Sequence, residues 1–413
     1  MSVVLIHRDN CRLCESKKVE LVVKLKPIPP QEKYVDNAEL ARQIDVYPVD
    51  LYMCTECGHV QQLDVLDSET LWEGYTYFSG KAKGMVEHFE QFFSKVVDDY
   101  SPKLNSLVID VGSNDGSLLR PFKLNGNKVL GIDPATEIAH EATRSGIETI
   151  PSVLDMKLAQ EIKKSYGEAS VITAFNAYAH ADNMREMTDG IRHMLAPDGL
   201  FFFEVQYLLD VIDKMLIGTI FHEHMSHHSV KPIKRFLEEF GLELIDVYKV
   251  DIQHGSLIGT VQLKGGRRSV SPSVGEFITL ENKRKLDKLE TLESFNEKLI
   301  ELQNRSADLV RQWKKSNATV AGYGAARSAQ TLISQYGFEG VIEYIVDDHP
   351  DKIYRYPAGD GIQVIPTDEL CKRMPDYTII LAWVHADKIV KSNQKYLDNG
   401  GHFVVLSPEL KVI

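Results

Sequence analysis

A chain of 413 residues is longer than one ordinary core, so two or three domains are expected. With 43% hydrophobic and 26% charged residues the composition is globular, and a net charge of −12 argues against broad binding to nucleic acid or an anionic membrane. No run approaches the roughly 18 apolar residues of a spanning helix, and MSVVLIHRDNC has a short apolar stretch without a cleavage signal, so a cytoplasmic location is expected.

The first seventy or so residues contain short β-like runs (VELVVKL, YPVDLYMC, HVQQLDV) and four of the five cysteines. These form two C-x-x-C knuckles, CRLC (Cys11, Cys14) and CTEC (Cys54, Cys57), the usual way to build a tetrahedral thiolate site for Zn2+. Four thiolates close the coordination shell, so such a zinc is structural. Gly58 follows the second knuckle, as its tight turn favours. The stretch between the knuckles is longer than in a compact zinc ribbon, and the alternative is two unrelated pairs of buried cysteines. Cys371 reads as an ordinary buried thiol.

WEGYTYFSG then leads into an amphipathic helix, GMVEHFEQFFSKVVDDY. To about residue 275, NSLVIDVG, NKVLGID, ASVITAF and GLFFFEV read as buried strands. SLLRPFK, ATEIAHEATRSG and NMREMTDGIRHML read as the helices between them, which predicts a parallel α/β sheet. Residues 279–315 read as one long charged helix on the surface. A second α/β pattern follows: ATVAGYGA, a helix, VIEYIVDD, YTIILAW, a helix and HFVVLSP. The expected fold is α/β in three parts: a small zinc-binding module (1–74), a central Rossmann-like domain (75–278), and a helical connector with a second Rossmann-like domain (279–413).

The turn IDVGSNDGSLL holds the first candidate ligand site. Gly112 and Gly116 allow close backbone approach, the helix start offers N–H groups, and Asp110 ends the strand. Asn114 and Asp115 lie within the turn. Asp133 closes the next strand about twenty residues later, where an acid takes ribose hydroxyls. A dinucleotide site wants G-x-G-x-x-G; this loop with an acid before its first glycine suits S-adenosylmethionine (SAM) better. The third strand end adds Asn176 and His180, and the fourth Glu204. In the C-terminal pattern, Gly322, Tyr323 and Gly324 open a phosphate-type turn. Arg327 stands at the third glycine position, where it suits a diphosphate rather than NAD, and Asp347 and Asp348 end the following strand.

FHEHMSHHSV, residues 221–230, places four histidines and a glutamate together. A zincin helix needs H-E-x-x-H; from His222 that would require His at 226, where Ser226 stands, and Met225 follows His224. The segment reads as a loop between a strand end (GTI) and a helix (KPIKRFLEEFG). Its readings are a metal site, a solvated polar loop, or proton-transfer chemistry, and the last is preferred because His exchanges protons near neutral pH.

Taken in order, the knuckles, Y-x-Y, GSNDG, N-x-x-x-H, the E-H of FHEH, GYGA, VDDHPDK, LAWVHA and GGHFVVLSPEL resemble the nucleotide-sugar C-methyltransferases of branched deoxysugar pathways, essentially end to end. The resemblance implies a zinc-binding domain, a SAM-dependent methyltransferase core and a C-terminal Rossmann-like domain that holds the sugar nucleotide. It implies a nucleoside diphosphate 4-keto-6-deoxy sugar as partner, deprotonated at C3 and methylated there as an enolate. Carried over by position, His224 matches the base, Glu223 its acidic neighbour, His180 a histidine at the keto region and Tyr75 an active-site tyrosine. Phe221 stands where the family often has Tyr, so His222, His227 or His228 is a candidate substitute. The segment QHGSLIG (Gln253 to Gly259) lacks the family arginine, and Arg327 lies one residue short of the family lysine's register. A monomer is expected, with neither nucleic acid nor membrane as partner. The rival readings are O- or N-methylation of a sugar, an NAD-linked nucleotide-sugar oxidoreductase and a non-catalytic zinc-bearing binding module.

Overall fold

The computed structural model describes residues 4–72, 77–82, 84–252 and 255–413; Tyr75 and Gln253 lie outside the described residues. By compactness the chain divides into two units that interleave in sequence. The first gathers residues 1–20, 53–209 and 225–288, and the second 21–52, 210–224 and 289–413.

The first unit is built on seven strands: β1 (Leu107–Val111), β2 (Lys128–Ile132), β3 (Thr149–Ile150), β4 (Ala169–Phe175), β5 (Leu195–Gln206), β6 (Leu242–Val250) and β7 (Ser256–Leu263). Their order is β6-β7-β5-β4-β1-β2-β3. The sheet is mixed rather than purely parallel, because β7 runs antiparallel to both β5 and β6. The short link from β6 to β7 can only reverse the chain, whereas a parallel return needs a crossover. Helix α1 (Met85–Tyr100) buries Met85, His88, Phe89, Phe92 and Val96, three and four apart, against this sheet. Phe92 meets Phe175 at 4.5 Å and Phe202 at 5.2 Å between ring centroids. His88 is the polar member of that apolar stripe.

The expected 279–315 helix is two helices, α2 (Pro272–Lys283) and α3 (Leu289–Ser316). Lys285 takes φ 52°, and Leu286 N–H bonds back to the Glu281 carbonyl. This is the closure a glycine usually makes, here with a lysine at the left-handed position, so the break leaves no glycine to read.

The second unit carries β8 (Val320–Tyr323), β9 (Tyr344–Asp347), β10 (Gln363–Pro366), β11 (Tyr377–Ile380), β12 (His402–Val405) and β13 (Lys411–Val412). Their order is β10-β9-β8-β11-β12-β13, parallel except for β13. Ala321, Val346, Ile380, Tyr396 and Phe403 form its core. Cys371 is half-buried at the margin of that core rather than inside it. The first five strands of each sheet therefore share one order, third-second-first-fourth-fifth, which the residue letters do not disclose. No helix among the described residues is long and apolar enough to cross a membrane.

Candidate active site and zinc centre

The zinc ligands converge. The sulfurs of Cys11, Cys14, Cys54 and Cys57 all lie within 4.8 Å of one another, with Cys11–Cys57 at 3.7 Å and Cys14–Cys54 at 3.5 Å. Both knuckles close alike. Glu15 N–H bonds to the Cys11 carbonyl at 2.9 Å with Glu15 at φ 59°, and Gly58 N–H bonds to the Cys54 carbonyl at 2.8 Å with Gly58 at φ 79°. Hydrogen bonds from Cys11 and Cys57 drive Cys54 far toward the thiolate, the state a cation would complete. Four clustered sulfurs with no fifth donor fit a closed Zn2+ site, and among the described residues this is the one such metal-ligating group.

Arg12, inside the first knuckle, was not singled out in the sequence. It is fully buried and donates to Asp182 Oδ1 at 3.2 Å and Gln61 Oε1 at 3.2 Å. Arg8 donates to the same Asp182 oxygen at 2.9 Å. The knuckle is thereby tied to the loop that follows His180.

At the carboxyl edge of the first sheet, Gly112 adopts φ 77°, and a Cβ there would lie 2.3 Å from that of Ala177. Its N–H bonds to the Ile132 carbonyl at 2.7 Å. Asp133 braces the turn, accepting from Asn114 N–H at Oδ2 and Ala135 N–H at Oδ1, both at 2.8 Å. Asp110 accepts from Thr173 Oγ1 at 2.6 Å. Burial pushes the Asp110 carboxyl up to about 7 and that of Asp133 up to about 6. Ser113 Oγ is buried in the turn with no hydrogen-bond partner. Two desolvated carboxyls and an orphan hydroxyl around a glycine cradle fit SAM, whose ammonium and ribose hydroxyls would complete them.

Asn114 and Asp115 have other duties. The Asn114 amide accepts from Ser79 N–H and donates to the Tyr77 carbonyl, and Asp115 Oδ2 accepts from Gly80 N–H. They clasp residues 77–80 over the turn. Asn176, at φ 52°, is held by Glu204, and the His180 ring stacks on Trp72 at 5.9 Å.

In the second unit the FHEH residues lie beside the C-terminal fold. Residues Ile217–Thr219, expected as a strand end, form a 3-10 turn. Gly218 sits so close to the Trp383 indole that a Cβ would come within 2.5 Å of its nitrogen, and Thr331 Oγ1 donates to the Ile220 carbonyl at 3.1 Å. His224 Nδ1 lies 2.6 Å from the Thr219 carbonyl oxygen, so Nδ1 carries the proton and donates, and Nε2 carries the ring's lone pair. The Phe221 ring covers His224 at 4.1 Å, and the Arg327 guanidinium lies 6.0 Å from the Phe221 centroid. Glu223 is buried, with Oε2 lacking a hydrogen-bond partner; burial pushes its carboxyl up while Arg327 opposes the shift. His222 directs Nε2–H to the Tyr47 carbonyl at 3.3 Å, and burial pushes its ring down to about 4. His227 and His228 belong to the first unit. Ser226–His227 pairs with Val60–Gln61, and His228 stacks on Tyr178 at 6.1 Å.

The GYGA turn of the second unit repeats the first turn in detail. Gly324 takes φ 90°, a Cβ there would lie 2.3 Å from that of Ala382, and its N–H bonds to the Val346 carbonyl at 2.8 Å. Asp347 accepts from Ala325 N–H at 2.6 Å and His349 N–H at 2.7 Å, as Asp133 does from its own turn. Ala177 begins a turn in which His180 N–H bonds back to it at 2.9 Å; Ala382 and His385 make the same bond at 2.9 Å. Gly322 faces Leu381 closely, and Tyr323 is half-buried beside Phe403. Tyr34 Oη and Lys352 Nζ each donate to the Ala325 carbonyl at 2.9 Å, and Glu32 pairs with Lys352 at 3.2 Å. The sequence reading gave no role to Tyr34, Glu32 or Lys352; Lys352 closes the VDDHPDK motif, but no local motif announces Tyr34 and Glu32.

Three family models match the chain in succession: a zinc binding domain over residues 11–72, a methyltransferase domain over 85–247, and a C-methyltransferase C-terminal domain over 251–408. The chain is 29% identical to the C-methyltransferase NovU of Streptomyces niveus over 406 residues, 98% of this chain and 97% of that one. Among solved structures it is similar to the magnesium protoporphyrin IX methyltransferase ChlM from Synechocystis PCC 6803 with bound SAH, at 19% identity and TM-score 0.35 over 46% of this chain and 89% of that one. It is also similar to the PH0226 protein from Pyrococcus horikoshii OT3, at 14% identity and TM-score 0.37 over 47% of this chain and 98% of that one. With its four-cysteine centre, its SAM-type turn and the three family matches in succession, the chain has the parts of a SAM-dependent C-methyltransferase and is similar to one over nearly its whole length.

Proposed function

We propose that this C-methyltransferase acts in the cytoplasm on C3 of a nucleoside diphosphate 4-keto-6-deoxy sugar, through an enolate formed by His224. The observation that carries this reading is the 2.6 Å approach of His224 Nδ1 to the Thr219 carbonyl. A ring whose Nδ1–H is fixed on a carbonyl offers its lone pair at Nε2, as a general base requires. The C4 ketone acidifies C3–H, His224 takes that proton, and the pair left on C3 forms the new carbon–carbon bond. Bound SAM supplies the electrophilic methyl group.

Supporting roles follow from the local chemistry. The charge of half-buried Arg327 favours the carboxylate of buried Glu223 beside the base, and Arg327 with the Gly322–Gly324 turn suits the diphosphate. In this reading Phe221 supports the imidazole face, and neutral His222 serves position rather than charge. Asp347 serves the nucleoside by analogy with Asp133, His180 and Tyr75 serve the keto region, and Asp110, Gly112, Asp133 and Asn176 serve the methyl donor. Residues 1–74, 75–278 and 279–413 correspond to zinc, methyl-donor and sugar-nucleotide functions.

Incubation with methyl-labelled SAM and a panel of TDP-, GDP- and CDP-linked 4-keto-6-deoxy sugars in deuterated buffer tests the proposal. A labelled methyl on C3, seen by NMR, is the expected outcome. Methylation of oxygen or nitrogen, or no transfer to any of these sugars despite SAM binding, would overturn it.

A further inference from the structure

Glu204, near the end of β5, is completely buried although it carries a carboxyl group. Both its oxygens are engaged: His88 Nε2–H donates to Oε2 at 2.5 Å, and Asn176 Nδ2 donates to Oε1 at 3.1 Å. The Glu204 backbone carbonyl also accepts from Asn176 N–H at 3.0 Å. Asn176, in the left-handed region at φ 52°, follows β4 directly, and the next residue, Ala177, is the one Gly112 approaches. Two residues along the same face of β5, Gln206 is nine-tenths buried, and neither its amide oxygen nor its nitrogen has a hydrogen-bond partner.

Packing alone does not call for a carboxyl here. Phe202 fills the same face of β5 two residues earlier with an apolar ring that packs on α1. A buried carboxyl is costly without partners, and His88, the polar member of the buried stripe of α1, supplies one. The interactions converge on the amide of Asn176: its nitrogen is fixed on Glu204, which leaves Oδ1 as an acceptor for a cationic ligand group. The open amide of Gln206 marks the same ledge as one that a polar ligand completes.

We propose that Glu204, anchored by His88, is a positioning residue that fixes the Asn176 amide to receive the ammonium group of the methyl donor. The inference rests on the assignment of Asn176 to SAM.

Calorimetric dissociation constants for SAM and S-adenosylhomocysteine, which share the ammonium, test it in a double-mutant cycle. Asn176→Ala and Glu204→Leu should each weaken both ligands roughly ten-fold, and the double variant should be no weaker than either single. Glu204→Gln should recover much of the affinity, because its side-chain oxygen can still accept from Asn176. Wild-type affinity in Asn176→Ala would remove the assignment of Asn176 itself. A weakened Asn176→Ala beside a normal Glu204→Leu, or losses that multiply in the double variant, would overturn the positioning role alone. If Glu204→Leu does not fold, His88→Gln takes its place in the same cycle, with the same outcomes deciding.

Discussion

His224 is distinguished from the other histidines of its segment by what its ring faces. His222, His227 and His228 are buried and held neutral, pushed down to about 4, about 4 and about 3, whereas His224 is half-buried with its tautomer set by a carbonyl. With His224 as the proposed base, His224→Ala or His224→Asn should cut turnover by about 10²–10⁴ with SAM affinity unchanged. Deuterium wash-in at the substrate carbon, without methyl donor, should fall in parallel; near-normal turnover in both variants would sink the assignment. Asp110 gives a second residue-scale prediction. Its folded carboxyl titrates near 7 against an ordinary value of 3.8, so the folded state holds the extra proton between those values. That contribution to stability is present at low pH and is lost as pH rises through about 7. A cationic ligand favours the carboxylate, so SAM should bind more tightly from pH 6 to 7.5 and release protons on binding. Buffer-dependent calorimetric enthalpies at pH 6.5 measure that release, and a pH-independent affinity with no proton release would contradict the role of Asp110. The pairing of Asp110 with Thr173 was not legible in the sequence, because it joins strands more than sixty residues apart.

At the scale of elements, local signals were readable and long-range ones were not. Strand β1 and its glycine turn, the stripe of α1 and the two knuckles follow from short-range patterns of apolar, glycine and cysteine residues. The break at Lys285 and the knuckle turn at Glu15 were hidden, because residues other than glycine occupy left-handed positions there. Arg12 was hidden differently, and Glu204 was legible only as a strand-end acid: their chemistry depends on Asp182 and His88, distant partners that no spacing rule reveals. The knuckles carry their own prediction. Cys54→Ser should lower bound zinc and the thermal midpoint together, and remaining activity should track the folded fraction. Metal analysis beside thermal denaturation checks it, and a zinc-free variant of full stability and activity would contradict a structural centre.

For the whole molecule, the alternation of strands and helices made two α/β sheets legible, but their kinship was invisible. Gly112 and Gly324, Asp133 and Asp347, and Ala177 and Ala382 share geometry within sequences that offer few common letters. The division into compact units was equally hidden, since residues 21–52 and 210–224 join the second unit from afar. Either glycine replaced by alanine meets a methyl group at about the same forbidden distance while φ stays positive. Each substitution should therefore cost at least ~1–2 kcal/mol locally, read as a lowered thermal midpoint. Gly112→Ala should weaken SAM and spare the sugar nucleotide, and Gly324→Ala should do the reverse; equal effects on both ligands would deny the two turns separate duties.

That duplicated turn has a kinetic consequence. If each turn seats one ligand, as proposed, the enzyme can be halted half-loaded, with either reactant seated and the other shut out. Each stalled form would report whether the seated reactant needs its companion in order to bind, and so whether the two enter in a compulsory sequence or at random.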